Sequence, residues 1–227
     1  MRRLVPVLLL LSLLRPASVA AQDLDDFQVW VQTLAQGRLS ENWRSHLEVW
    51  PRWFDDGSEL GLTIMRTAIG RRITSRLTGW AGYAWIPRTQ GDGVRYEQRS
   101  WQQLSLTLPP SAGWTVSSRL RLEQRWLDPW EGSSHRIRGL ARVQRPFRQG
   151  SRWGLAVYDE VMFTLDDTSL GPKQGFDRNR IFGGVMRTLG PAATIETGYL
   201  WEHTALARSG SRNEHVLATS LTLQWPR

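Results

Sequence analysis

The chain has 227 residues, of which 41% are apolar and 22% are charged, and its formal charge is +8. This composition is too apolar for a disordered chain, and the length suits one domain of ordinary size. The sequence contains no cysteine, which excludes disulfide bonds, thiolate metal sites and a thiol nucleophile. After residue 20, no segment approaches the roughly 18 consecutive apolar residues that a membrane-spanning helix needs.

The first 21 residues have the three-part pattern of a secretory signal peptide. Residues 1–3 form a short basic region, residues 4–14 an apolar core, and residues 17–21 supply the small side chains that a signal peptidase requires. Cleavage after Ala20 or Ala21 removes three arginines and no acid, which lowers the charge from +8 to +5. We therefore expect an exported protein without a nucleic-acid partner.

The remaining sequence alternates apolar and polar residues. In the segment 113–126, for example, Leu120 and Leu122 alternate with Arg119 and Arg121. A period of two places these two sets on opposite faces of a β-strand. The pattern predicts ten strands, at 42–53, 59–69, 73–86, 94–108, 113–126, 135–147, 151–165, 176–189, 192–204 and 213–225.

A soluble β-sandwich and a membrane β-barrel both have alternating strands. The predicted strands are long for a sandwich, in which about 5–6 residues are typical, and they suit a barrel strand that crosses a bilayer in about 9–11 residues. Short turns, as at 109–112, alternate with longer connections, as at 166–174, which is typical of bacterial outer-membrane barrels. Aromatic residues cluster toward the strand ends, as membrane girdles do; they are Trp43, Trp53, Tyr83, Trp85, Trp114, Trp126, Trp153, Tyr199, Trp201 and Trp225.

We therefore predict an all-β fold, a transmembrane antiparallel up-and-down β-barrel formed by residues 42–227. Ten strands are favoured and twelve are the alternative. The segment 22–41 is then either a further strand, paired with another, or a periplasmic lead-in. Bacterial single-chain barrels have even strand numbers, so eleven is the least expected count.

Several motifs in this order resemble one family. They are the segments 119–125, 136–142, 158–160, 176–180, 183–184, 196–199 and 212–215. In these motifs the chain resembles an uncharacterised family of bacterial outer-membrane barrels, domain of unknown function 2490, and the resemblance covers most of the mature chain. It implies an outer-membrane barrel without an established activity. Such chains commonly end on an aromatic residue, whereas here Pro226 and Arg227 follow Trp225.

If leucine and valine face lipid, the opposite positions line the lumen. The predicted lumen-lining residues are Arg44, Glu48, Arg52, Arg76, Glu97, Arg99, Arg119, Arg121, Glu123, Arg125, Arg136, Arg138, Arg142, Glu160, Arg178, Arg180, Glu196, Glu202 and Glu214. These residues allow two interpretations. They form Arg–Glu pairs that fill and rigidify a small barrel, or they form a positively biased lumen that binds or passes anions.

Arginines are concentrated on the two strands around residue 130. A hairpin at that point would place Arg125 opposite Arg136 and Glu123 opposite Arg138. Because directly opposed like charges destabilise a sheet, we expect acids from other strands to approach these arginines. The inward-facing candidates are Glu97, Glu160 and Glu196.

The sequence leaves three classes of function open. The first is a structural barrel or a small-solute or anion channel in the bacterial outer membrane. The second is a lipid-modifying hydrolase with a histidine on the outer rim, and the third is a receptor or adhesive barrel. No serine shares a strand face with a histidine at adjacent positions, so we predict no enzyme; the histidines are His46, His135, His203 and His215.

The expected partners follow from the expected location. They are outer-membrane lipids and, during biogenesis, the barrel-assembly machinery. The acidic pairs at 55–56 and 166–167 lack the spacing of a calcium loop, so no metal site and no cofactor are predicted.

Overall fold

The computed structural model describes residues 24–129, 132–168, 173–206 and 210–225. Eleven β-strands form one closed barrel. The strands are β1 (Leu24–Arg38), β2 (Trp43–Phe54), β3 (Glu59–Arg72), β4 (Leu77–Gln90), β5 (Gly93–Thr107), β6 (Thr115–Leu127), β7 (Ser134–Pro146), β8 (Trp153–Thr164), β9 (Gly175–Gly190), β10 (Ala193–Ala205) and β11 (Ser211–Trp225). None of the described residues belongs to a helix that is long and apolar enough to cross a membrane.

The strand number corrects the predicted count of ten or twelve. Strands that are consecutive in sequence pair antiparallel, and β1 pairs with both β2 and β11. The β1–β11 pairing is parallel and runs from Leu24 opposite Arg212 to Gly37 opposite Trp225. Since β2 and β11 run in opposite directions, a strand between them must be parallel to one of the two. The segment predicted as a lead-in or as half of an extra pair is therefore a single seam strand.

The start of β1 and the finish of β11 lie at opposite ends of the barrel. We name the end with the 165–174 connection the loop end, and the opposite end, with the 108–114 and 147–152 connections, the turn end. β1 begins at the loop end, whereas β11 finishes at the turn end. The predicted alternation of short and long connections holds after β8, where 165–174 and 206–210 at the loop end are longer than 191–192 at the turn end. Before β8 it is wrong, because 108–114 and 147–152 are as long as 128–133 at the loop end.

Alternation along the strands separates an apolar outer face from a largely polar inner face. Leucines such as Leu120 and Leu155 are about half exposed on the outside. All ten aromatic residues predicted at strand ends are partly or largely exposed, but Tyr83 and Tyr199 lie in the middle of β4 and β10 rather than near an end. Four other tryptophans, Trp30, Trp50, Trp80 and Trp101, pack inside.

Apolar side chains fill part of the barrel interior in two clusters. Trp50 of β2 packs against both. The first cluster consists of Leu62, Ile64, Ala68, Trp80, Ala84, Ile86 and Trp101, and the second of Trp30, Ala156, Phe182, Leu200 and Val216. The interior is therefore packed with apolar residues as well as lined with charged ones.

Gly82 of β4 makes room for one of the inner tryptophans. It lies opposite Trp101 and Ala68, and a Cβ at this position would meet the Trp101 ring and the backbone of Thr67. We expect Gly82→Ala to lower the free energy of unfolding by about 1–3 kcal/mol because the ring must shift. The matched control is Gly183→Ala, whose Cβ would meet nothing within 4 Å. Urea unfolding of both refolded variants measures the effect, and equal midpoints would contradict it.

Candidate functional site: the charged barrel interior

Glu123 on β6 is surrounded by four arginines. Arg136 and Arg138 on β7 donate hydrogen bonds of 2.6 and 2.7 Å to its carboxylate. Arg99 on β5 donates a longer bond of 3.5 Å, and Arg121 Nη1 lies 3.7 Å away. Glu123 is 1% exposed, so protein groups rather than water compensate its charge.

Glu160 on β8 continues this network around the barrel. It accepts hydrogen bonds from Arg119 at 2.7 Å, from Arg138 at 2.8 Å and from Arg180 at 3.4 Å. Because Arg138 binds both Glu123 and Glu160, one guanidinium links the carboxylates of two strands. Bidentate guanidinium–carboxylate contacts of this kind fix orientation as well as charge.

Further pairs extend the network toward the loop end. Glu97 accepts hydrogen bonds from Arg99 at 2.7 Å and from Arg125 at 2.6 Å. Arg136 also donates to Asp177 of β9 at 2.8 Å. In these contacts the arginines of β5–β7 share carboxylates from β5, β6, β8 and β9.

Glu202 on β10 connects the network to the seam strands. It forms ion pairs with Arg178, at 3.0 Å, and with Arg180. Glu202 lies directly opposite Glu214 of β11, which is held by Arg212 at 2.6 Å. Two buried carboxyl groups thus face each other with arginines on both sides.

A separate charged group lies on β2 and β3. Glu48 forms an ion pair with Arg66 and accepts a hydrogen bond of 3.0 Å from Gln32 of β1. His46 lies 3.3 Å from the same carboxylate and also contacts Gln36 of β1 at 3.0 Å. Neutral amides of β1 thereby join the seam strand to the charged interior.

Arg52 is compensated by aromatic rings. Its guanidinium carbon lies 3.6 Å from the ring centroid of Trp30 and 3.9 Å from that of Trp50. Among the described residues, none forms an ion pair with Arg52, which is 5% exposed. Cation–π contacts of this kind strengthen when the cation is desolvated. Arg52 thus clamps β1 to β2 from inside the barrel.

Most of the predicted lumen-lining residues lie on the inner face. The buried ones are Glu48, Arg52, Glu97, Arg99, Arg121, Glu123, Arg125, Arg136, Arg138, Glu160, Arg180, Glu202 and Glu214, and the partly exposed ones are Arg44, Arg119, Arg142, Arg178 and Glu196. Arg76 is placed differently: it is exposed in the 73–76 turn, because β3 extends to Arg72 and β4 begins only at Leu77. The prediction had started that strand at residue 73.

The predicted contacts of three acids with the arginines of β6 and β7 are confirmed. Glu97 binds Arg125, Glu160 binds Arg119 and Arg138, and Glu196 pairs with Arg142. These acids come from β5, β8 and β10, as the argument from opposed like charges requires.

The predicted register of the β6–β7 hairpin is wrong by two residues. Glu123 lies opposite Arg136, and Arg121 lies opposite Arg138. The shift arises because the hairpin is tighter than the predicted one, with Arg125 opposite Ser134. A shift of two keeps every side chain on its face, so the set of inward residues is unchanged.

Sequence reasoning missed several inner residues. Arg66 shares its face with Ile64 and Ala68, so the alternation of β3 already contained that signal. Asp177 gave no such signal, because it is the extra residue of a bulge between Phe176 and Arg178. A bulge of this kind adds one residue to the strand, so the side chain points to the face opposite the one that simple alternation predicts.

The histidines of the outer face have partners other than serine. His203 Nδ1 lies 2.9 Å from Asn213 Oδ1, and His215 Nδ1 lies 2.6 Å from the Tyr199 hydroxyl. Across the described ranges, no histidine is hydrogen-bonded to a serine hydroxyl. The Ser–His pair that a membrane hydrolase would need is therefore not formed at these positions.

His135 and Asp166 form a pair at the loop end. His135 Nδ1 lies 2.5 Å from the carboxylate, which also accepts a bond of 3.2 Å from the Ser134 hydroxyl. Burial raises the pKa of the Asp166 carboxyl, but hydrogen bonds from the His135 backbone and side chain and from Ser134 outweigh this and lower the pKa below its usual value. The pair closes the start of the 165–174 connection onto β7.

Asp159 is an acid on the outer face of β8. It accepts a hydrogen bond of 2.5 Å from Asn179 of the neighbouring strand. The carboxylate is thus paired across two strands, which partly compensates for its position on a largely apolar surface.

Comparison with other proteins assigns the chain to a family. A family model described as a protein of unknown function (DUF2490) matches residues 27–213. The chain belongs to this family. The DUF2490 match begins in β1 and ends at the start of β11, so it contains the charged interior except Glu214. An uncharacterised protein of Methylorubrum extorquens (strain AM1) is 32% identical over 213 residues, and the match covers 92% of each chain.

Proposed function

We propose that this DUF2490 protein is a closed outer-membrane β-barrel whose paired interior charges fix its shape and block the passage of solutes. One observation carries the proposal: the charged groups at the centre of the network are almost completely buried. Arg121, Glu123 and Glu160 are between 1% and 2% exposed. A water-filled channel would leave such groups in contact with solvent, as in porins.

The distribution of polarity supports the membrane location. Apolar and aromatic residues cover most of the outside, while ionised residues share the inside with two apolar clusters, so most charges are buried and many large apolar side chains are exposed, unlike in a soluble domain. An exposed apolar surface of this extent is stable in lipid and promotes aggregation in water. The signal pattern of residues 1–21 supports export through the inner membrane.

The other function classes receive less support. A receptor or adhesive barrel works through long outer loops, and here only 165–174 is distinctly longer than the other connections. A hydrolase needs an activated nucleophile, and the described histidines contact amides, carboxylates and a tyrosine instead. The small-solute or anion channel remains the alternative that the same experiment tests.

Membrane fractionation and bilayer recording test this function. We expect the protein in the outer-membrane fraction, and we expect the purified, refolded barrel to give no steady conductance in a planar bilayer. A reference porin in the same bilayer confirms that channels are detected. Stable single-channel steps from the DUF2490 protein would overturn the closed barrel and support the channel, and recovery only in soluble fractions would overturn the location.

A further inference from the structure

Polar side chains form a hydrogen-bonded group on the outer face of β4–β6. The Tyr83 hydroxyl donates to Gln98 Oε1 at 2.8 Å, and the Ser100 hydroxyl donates to Gln124 Oε1 at 2.6 Å. Gln102 and Gln124 exchange two amide hydrogen bonds, of 3.2 and 3.1 Å. We name Gln98, Ser100, Gln102 and Gln124 the amide ladder.

The centre of the amide ladder, formed by Ser100 and Gln102, lies at mid-height of the barrel. Ser100 is the eighth of the 15 residues of β5, and Tyr83, beside it, is the seventh of the 14 residues of β4. Gln98 and Gln124 lie five and three residues from the loop end of their strands, as do outer polar residues elsewhere such as Asn179 and His203, whereas Gln102 is the tenth residue of β5. In a membrane barrel, strand ends reach the polar interface, whereas mid-height lies in hydrocarbon.

The ladder does not use all of its donors. A glutamine amide carries two N–H groups. Within the described part of the chain, Gln102 and Gln124 each donate one of them, and Gln98 Nε2 has no acceptor. A donor without an acceptor is costly in hydrocarbon, because no water is present to bind it. The ladder therefore needs a partner that offers acceptors at the same depth.

A groove runs beside the ladder toward the turn end. Its floor is formed by Gly79 and Ala81 of β4, and its volume is about 650 Å³. Ile69 lies on one side, and Leu104 and Leu120 form a ridge on the other. The ridge and the groove are adjacent on one surface, so a second copy of that surface, rotated by 180°, presents a ridge to each groove.

We propose that the protein forms a two-fold symmetric dimer in the membrane through the outer face of β3–β6, a conclusion that rests on the proposed membrane location. A two-fold axis along the membrane normal keeps every residue at its own depth, so the ladder of one copy meets the ladder of the other. The free amide hydrogens then find amide oxygens of the partner copy, as polar side chains do between membrane helices. Small residues allow the close approach, and the leucine ridge of each copy fills the groove of the other.

A second copy fits this surface better than a lipid does. An acyl chain fills the groove but offers no hydrogen-bond acceptor at mid-height. Lipid headgroups carry acceptors only at the interface, and Gln102, which has a free amide hydrogen, lies five or more residues from either end of β5. Of a lipid and a second copy of the chain, only the second copy supplies both apolar side chains for the groove and hydrogen-bond acceptors at the depth of the ladder.

Site-specific disulfide formation tests the dimer, because the chain contains no cysteine. We expect Ser100→Cys to form a cross-linked dimer on mild oxidation of membranes. The matched control is Thr219→Cys, at mid-height on the outer face of β11, where we expect monomer. Cross-linking of Ser100→Cys at no more than the control level would overturn the dimer.

A second set of variants separates the dimer from other outcomes. Ala81→Leu fills the groove on an exposed surface, and Gln124→Leu removes one amide of the ladder. When either change is added to Ser100→Cys, we expect the cross-linked fraction to fall to the level of the control. Resistance of the folded barrel to detergent unfolding should persist in both. Cross-linking that survives both changes, or a phospholipid that co-purifies with a monomer and is lost in Ala81→Leu, would overturn the proposal.

Failure of the location and failure of the dimer give different results. Protein that reaches the outer membrane without Ser100→Cys dimers overturns only the dimer. Protein that is absent from the outer membrane overturns the proposed function, and the dimer is then decided by the same cross-linking on the barrel refolded into phospholipid vesicles.

Discussion

Replacing Glu123 by Gln should lower the free energy of unfolding by about 3–5 kcal/mol. The substitution keeps the shape of the side chain and removes its charge, which leaves Arg136 and Arg138 with one buried carboxylate fewer. Breaking a buried ion pair from one side is costly because the remaining charge cannot reach water. Urea unfolding of the refolded variant in detergent or vesicles measures the change.

Glu41→Gln is the matched control for this effect. Glu41 also lies near an arginine, with Arg72 at 3.8 Å, but its side chain is 80% exposed in the turn between β1 and β2. Exposed pairs of this kind contribute between zero and about 1 kcal/mol. If the two variants had equal midpoints, the interior charges would be hydrated, and the closed-barrel proposal would lose its main support.

The faces of the strands could be predicted from the sequence because alternation is a local property. In β6 the Arg and Glu positions all share one face, and a two-residue error in register left them there. In β9 the same rule failed at Asp177, where a bulge adds one residue. Bulges depend on the pairing with β8, so residues within β9 alone do not reveal them.

For the charged residues, the sequence predicts that arginines pair with acids from other strands, but not which arginine pairs with which acid. The need of the β6 and β7 arginines for acids follows from like-charge repulsion, and three of those acids were predicted from their faces. Their individual partners could not be predicted, because contacts such as Arg136 with Asp177 join positions 41 residues apart. Such contacts depend on the closed barrel rather than on neighbours in the sequence.

The seam strand was the largest error, and its sequence explains why. From Gln28 to Gln36 the inner residues of β1 are neutral, with Trp30 and Leu34 among them, so the strand lacks the Arg and Glu alternation of β6 and β7. Its outer residues, such as Val29 and Val31, are apolar like parts of its inner face. The parallel pairing with β11, almost 190 residues away, produces no pattern in the residues of β1 from which it could be predicted.

The odd strand number has a consequence that epitope tags can measure. In the proposed outer-membrane barrel, a tag inserted before Leu24 should lie on the opposite side of the membrane from a tag placed after Trp225, because β1 begins at the loop end and β11 finishes at the turn end. With the loop end outside, antibodies should label the first tag on intact cells and the second only after permeabilisation.

Lys173, the single lysine of the chain, provides an internal reference for this orientation. It is exposed in the 165–174 connection, so a lysine-specific protease added to intact cells should cut the barrel once when the loop end is outside.

A ten-strand barrel without β1 in its wall would allow both tags to lie at the turn end, since β2 begins and β11 finishes there. Cleavage at Lys173 with both tags protected would therefore exclude the seam strand, whereas cleavage with only the first tag accessible requires an odd number of crossings. Protection of Lys173 with labelling of only the second tag would keep eleven strands and reverse the orientation of the barrel.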